Sequence, residues 1–180
     1  MPRSPLLLTA VAVLVLLSAC GQDAAEPVGT ADPADVAARL VTRLDTATAE
    51  IGLPVDGRKF NTVTCAADGF EVAAKDRYTV VVRYHFVPEG SAENNDVSAL
   101  YEYWGGLGWK AEIRYNGGPG RDEDNGVGHS GFAIAEATDA GDSFRAETDW
   151  LETAVWVVSP CYLFAGEAVW GEITPAGEPA

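Results

Sequence analysis

The chain has 180 residues, with 12 Lys and Arg against 27 Asp and Glu, for a formal net charge of −15. That balance argues against nucleic acid as a partner and against lying flat on anionic lipid, because both need basic patches. The length suits one domain with processing segments attached.

Arg3 is the only charge in the first twenty-two residues, and an apolar stretch from Leu6 to Leu17 follows it, closed by Ser18-Ala19-Cys20-Gly21. A short positive region, an apolar core and small residues at a cut site are the parts of a secretory signal. The run is shorter than the roughly 20 apolar residues that cross a bilayer. Leu17-Ser18-Ala19-Cys20 resembles the bacterial lipobox, an aliphatic residue and two small ones before cysteine. That resemblance implies diacylation of the Cys20 sulfur, cleavage before Cys20, and a signal peptide over residues 1–19. Each buried methylene contributes about 0.8 kcal/mol, so two or three acyl chains anchor stably where one does not. Removing residues 1–19 takes away Arg3 and no acid, which moves the net charge to −16. Gly21 to Ala31 is small, polar and Pro/Gly-containing, so residues 20–31 are expected to form a flexible tether.

A single domain is expected over residues 32–174. Asp32-Pro33-Ala34-Asp35 is a helix start, with Asp32 as cap, Pro33 in the first position and Asp35 near the positive end of the dipole. Val36, Leu40, Leu44, Ala47 and Ile51 recur at helical spacing, with Arg39, Arg43 and Glu50 off that stripe. Gly52-Leu53-Pro54 stops the helix. A short strand near Asn61–Ala66 carries Cys65, and Arg77 to Val87 is the clearest strand. There Tyr78, Val80, Val82, Tyr84 and Phe86 share one face, while Thr79, Val81, Arg83 and His85 share the other. Asn94-Asn95-Asp96 offers a cap for a second helix, with Val97, Leu100, Tyr101, Trp104 and Leu107 at helical spacing and glycines 105, 106 and 108 at its end. Trp109 to Tyr115 alternates as a strand with one wet face. Gly117-Gly118-Pro119-Gly120 opens a polar loop to about Gly131. Strands at Phe132–Thr138 and Phe144–Thr148 are joined by Asp139-Ala140-Gly141-Asp142, a compact hairpin turn. Ala154 to Ser159 is apolar enough for an interior strand. The segment 175–180 is expected to be a loose tail.

Cys65 and Cys161 are an even pair in an oxidising compartment, for which a disulfide is the default. It would close a loop of about 96 residues, worth roughly 4–5 kcal/mol by chain entropy. The alternatives are a redox pair or a metal site. No Cys-x-x-Cys occurs, and two cysteines with His85 and His129 make a poor zinc set. The expected architecture is α+β: an antiparallel sheet of about five strands with two helices packed on one face. The order of elements, with Leu107-Gly108-Trp109 after the second helix and a late Ser159-Pro160-Cys161, resembles small secreted lipoproteins of actinobacteria. The resemblance implies the fold and an address on the outer face of the cell membrane, and it transfers no site residue.

Candidate chemistry is sparse. Asp122-Glu123-Asp124-Asn125-Gly126 resembles a calcium loop, but an EF-hand starting at Asp122 would need an oxygen ligand where Gly126 stands and a glutamate where Ala133 stands. A solvated acidic hairpin loop is the better reading, with a looser calcium site as the alternative. Gly128-His129-Ser130-Gly131 lacks the glycine that a Gly-x-Ser-x-Gly elbow requires two residues after Ser130, where Phe132 stands. His85 reads as a hydrogen-bonding surface residue. Tyr101, Trp104, Trp109 and Tyr115 fall on apolar faces and read as core. Trp150, Trp156 and Trp170 do not, so an aromatic patch near the last strand is the expected contact surface. No cofactor is expected. The expected function is a lipid-anchored binding or accessory module with an envelope protein as partner. An envelope enzyme with a carboxylate site and a structural surface lipoprotein are the alternatives.

Overall fold

The computed structural model describes residues 26–65, 75–86, 93–116, 132–148 and 153–178. Cys20, the acidic loop at Asp122, His129, Ser130 and Trp150 lie outside the described residues.

Helix α1 spans Pro33–Glu50 and begins as its sequence requires, with the Asp32 carboxylate accepting from the Ala34 amide at 2.8 Å. Val36, Leu40, Leu44 and Ala47 are buried on its inner face. Helix α2 spans Glu93–Gly106, so Asn94 to Asp96 form its first turn rather than precede it, and Gly105 and Gly106 lie inside it. Both helices close in the same way. The Leu53 amide reaches back to the Thr48 carbonyl, the Trp109 amide reaches back to the Trp104 carbonyl, and Gly52 and Gly108 take φ of +71° and +79°. A glycine in the left-handed region at this position satisfies the last carbonyls and turns the chain toward a strand.

Nine strands form one sheet among the described residues, against an expectation of about five. They are β1 (Thr30–Ala31), β2 (Gly57–Thr64), β3 (Arg77–Phe86), β4 (Lys110–Asn116), β5 (Phe132–Asp139), β6 (Asp142–Thr148), β7 (Thr153–Val158), β8 (Tyr162–Phe164) and β9 (Gly171–Glu172). The order is β1-β8-β3-β7-β6-β5-β4, with β2 also on β3 and β9 on β2; only β1–β8 is parallel. Most of the excess over five lies in β1, β8 and β9. Each is two or three residues long, too short for alternation to register, and exists because a neighbouring strand edge takes up its amides. Val28 and Leu163 amides likewise donate to the Cys161 and Gly29 carbonyls, so the chain just before α1 is paired to the sheet from Val28 onward. At the other end the Ala176 amide donates to Ala34 and Pro175 is buried.

Tyr78, Val80, Val82, Tyr84 and Phe86 on β3 are all buried, as alternation predicts, and so are Val155 and Val157 on β7. They meet α1 and α2 in one core with Phe144, Ala146, Ala133, Ala135 and Ala137 from the hairpin. Each fully buried large side chain contributes roughly 1.5–3 kcal/mol. The inner positions of β5 are alanines, and α2 lies over them with Trp104 filling the space that small residues leave. Cys65 and Cys161 form a disulfide with Cα atoms 5.6 Å apart. It ties the residue just after β2, outside the strand expected to carry Cys65, to the segment between β7 and β8, and sits beside Thr79, whose hydroxyl donates to the Ser159 carbonyl at 3.4 Å.

Candidate functional site

The face of the sheet turned away from both helices carries the polar residues that alternation puts opposite the core. Strand register lines them up across six strands in the order Lys59, Arg83, Trp156, Arg145, Glu136, Glu112. The adjoining row reads Gly57, His85, Ala154, Glu147, Ile134, Arg114. The first row is therefore basic at β2 and β3, aromatic at β7 and acidic at β5 and β4, while Lys110 and Arg114 flank Glu112 along β4.

Trp156 is half-buried between two guanidinium groups, with Arg83 at 5.6 Å and Arg145 at 5.4 Å from its ring. The negative face of an aromatic ring attracts a cation by about 0.5–1 kcal/mol at such sites, more where water is excluded. Arg145 is held from its other side by Glu136 at 3.1 Å and Glu147 at 3.0 Å, and Arg114 also pairs with Glu136. Six side chains from five strands thus fix one another's positions, and the ring and the ion pairs present a pre-organised surface. A shallow hollow of about 150 Å³ lies beside it, lined by Lys110, Glu112, Glu136, Ala137 and Thr138. That is smaller than the several hundred Å³ typical of small-molecule pockets. Glu112 and Glu136 are direct register partners on this face.

The sequence-predicted residues are distributed unevenly. Arg83 and His85 lie on this face, both half-buried on β3. Trp156 joins them. Trp170 does not, because it packs edge-to-face on Phe164, which stacks on the core residue Tyr78 at 4.4 Å. The expected aromatic patch is therefore divided between two sets of neighbours. Among the described residues, no three His, Cys, Asp or Glu side chains are grouped to hold a metal, and no helix is long and apolar enough to cross a membrane.

A second charged cluster was missed. Arg39 and Arg43, one turn apart on α1, both bind Asp142 on β6, with Arg39 Nη2 to Oδ1 at 3.0 Å; Arg43 also pairs with Asp139. Asp142 is fully buried. The hydrogen bond from Arg39 to Asp142 is the chief cause raising the Arg39 pKa. Arg43 also lies over the rings of Trp109 and Phe144, at 4.7 Å from each. Their i, i+4 spacing was legible; their buried partner about 100 residues away was not. This cluster clamps α1 to the tip of the β5–β6 hairpin. On the opposite flank of α1, Asp45 accepts from the Tyr84 hydroxyl and from Arg58, each at 2.8 Å, and burial is the main cause raising the Tyr84 pKa.

No protein-family model matches the chain, and a comparison with curated proteins finds none similar to it. Among solved structures, the "putative lipoprotein LppA" of Mycobacterium tuberculosis is similar over 77% of this chain and 84% of its own, at 12% identity and a TM-score of 0.45. A DUF4853 family protein of Actinomyces odontolyticus is similar over 77% of this chain and 72% of its own, at 14% identity and a TM-score of 0.43. Both are distant likenesses, and neither transfers a residue role.

Proposed function

We propose that the chain is a lipid-anchored protein of the outer face of the cell membrane whose sheet surface, opposite the helices, binds a partner in the cell envelope. Support for the anchor comes from Leu17-Ser18-Ala19-Cys20 directly after an apolar core. The observation that carries the binding surface is Trp156 held between Arg83 and Arg145 with Glu136 and Glu147 behind. Aromatic and arginine side chains already fixed in place lose little entropy on contact, which is why they dominate binding hot spots. The graded charge along the row would orient the partner.

Palmitate labelling that disappears in Cys20→Ala tests the anchor. For the surface, a photoreactive residue at Lys59 or Ser143, both exposed on this face, should give a discrete adduct in intact envelopes that Trp156→Ala abolishes. Placed at Thr46, exposed on α1, it should give none. Equal labelling from both faces would sink the assignment. The pairing of Glu112 with Glu136 at the hollow is the one observation favouring a carboxylate-based enzyme. A turnover lost in both Glu112→Gln and Glu136→Gln, with binding retained, would select that reading.

A further inference from the structure

Among the described residues, strand β4 ends the sheet, pairing with β5 along one edge and with nothing along the other. An unpaired edge offers a row of N–H and C=O groups to any further strand, and proteins usually guard it with proline, a bulge or charges that repel a copy of themselves. β4 has none of the first two. Its seven residues contain no proline, and its pairing with β5 runs without a break from Lys110↔Thr138 to Asn116↔Phe132. Its outer-face charges alternate in sign, Lys110, Glu112, Arg114, so whether they guard the edge or invite a partner depends on register.

Consider a second copy added antiparallel across a twofold axis perpendicular to the sheet. Residues that face each other must lie on the same side of the sheet, since side chains alternate with period two. The axis must then pass through a residue. Centred on Ile113, the midpoint of β4, all seven residues pair. Glu112 faces Arg114 of the second copy, Arg114 faces its Glu112, and Ile113 meets Ile113 on the core side. Shifting the axis to Glu112 sets Glu112 against itself and Lys110 against Arg114. Shifting it to Arg114 sets two arginines together. Opposite charges directly across a strand pair stabilise it and like charges destabilise it. The full-length register is thus the charge-complementary one, and its two neighbours are penalised.

A second observation points the same way. Within one copy Glu112 stands directly opposite Glu136, a like-charge pair. Arg114 answers Glu136, on the diagonal, and the Arg114 side chain remains 61% exposed. In the paired sheet, Arg114 of the second copy would flank Glu112 on its open side, completing the row Glu136, Glu112, Arg114.

We infer that β4 is a self-complementary edge and that the chain forms a twofold dimer through it, joining two sheets into one with the helices of both copies on the same face. Sedimentation of the full chain in mild detergent should show a concentration-dependent dimer. Glu112→Arg or Arg114→Glu alone creates two like-charge contacts per dimer and should weaken association at least about tenfold. The double variant swaps the charges, keeps every pair complementary and should restore the dimer. Circular dichroism should show each variant folded. A monomer at all concentrations, a dimer indifferent to the single reversals, or single losses that the double variant does not rescue would each overturn the inference.

Discussion

Replacing Asp142 by alanine removes the carboxylate on which Arg39 and Arg43 converge, and its cost can be apportioned. Asp142 has a fully buried side chain and that of Arg43 is 18% exposed, so this half of the contact is a buried ion pair. Removing one partner of such a pair costs about 3–5 kcal/mol, because the other charge stays desolvated. The Arg39 side chain is 42% exposed, and solvent screens its share to under about 1 kcal/mol. Against this, Arg43 retains Asp139 and the faces of Trp109 and Phe144, which offset roughly 1 kcal/mol. The expected net loss is about 3 kcal/mol. At about 2–4 °C per kcal/mol for a domain of this size, the melting midpoint should fall by roughly 6–12 °C. Urea unfolding should show the midpoint move with the slope unchanged. Arg39→Ala should cost under about 1 kcal/mol, and Arg43→Ala combined with Asp142→Ala should be far less than additive, with a coupling of about 1–3 kcal/mol. A loss below about 1 kcal/mol for Asp142→Ala, or additive effects in the double variant, would refute the clamp.

The hairpin turn between Asp139 and Asp142 places Ala140 at φ +50° and Gly141 at +87°, a type I′ geometry in which alanine is strained. Ala140→Asn should raise stability by about 0.5–1 kcal/mol, read as a higher thermal midpoint. Reducing the Cys65–Cys161 disulfide, or replacing both cysteines by serine, should cost roughly 4–5 kcal/mol by the loop of 96 residues it closes, measured by urea unfolding with and without reductant. Burial raises the Asp96 carboxyl above its usual pKa. Because the folded state then binds this proton more tightly than the unfolded chain, the stability tied to Asp96 is present below the unfolded pKa and lost as pH rises through the folded one. Asp96→Asn should therefore be more stable than the parent near about pH 7 and indistinguishable from it near about pH 3, where the parent carboxyl is protonated; a neutral-pH loss would contradict the desolvation argument.

Periodicity and punctuation make much of this molecule legible in its sequence. The stripe Val36, Leu40, Leu44, Ala47 defines the buried face of α1, and the alternation from Tyr78 to Phe86 orients β3, because a helix or strand of that length repeats its burial often enough to be read. The Asp32 cap and the 139–142 turn were legible because their chemistry is confined to neighbouring residues. Two cysteines in the domain left one intramolecular pairing to expect, and that is the disulfide present. Tertiary structure alone decided the rest. Strands β1, β8 and β9 are two or three residues long and owe their existence to edges supplied by β2, β3 and one another. The burial of Asp142 depends on a helix that crosses it from about 100 residues away, so its charge read as a turn residue's. The row from Lys59 to Glu112 draws one side chain from each of six strands, and no spacing within a strand encodes it. Register between strands is a sum of contacts distant in sequence, whereas local pattern fixes only which face each residue takes.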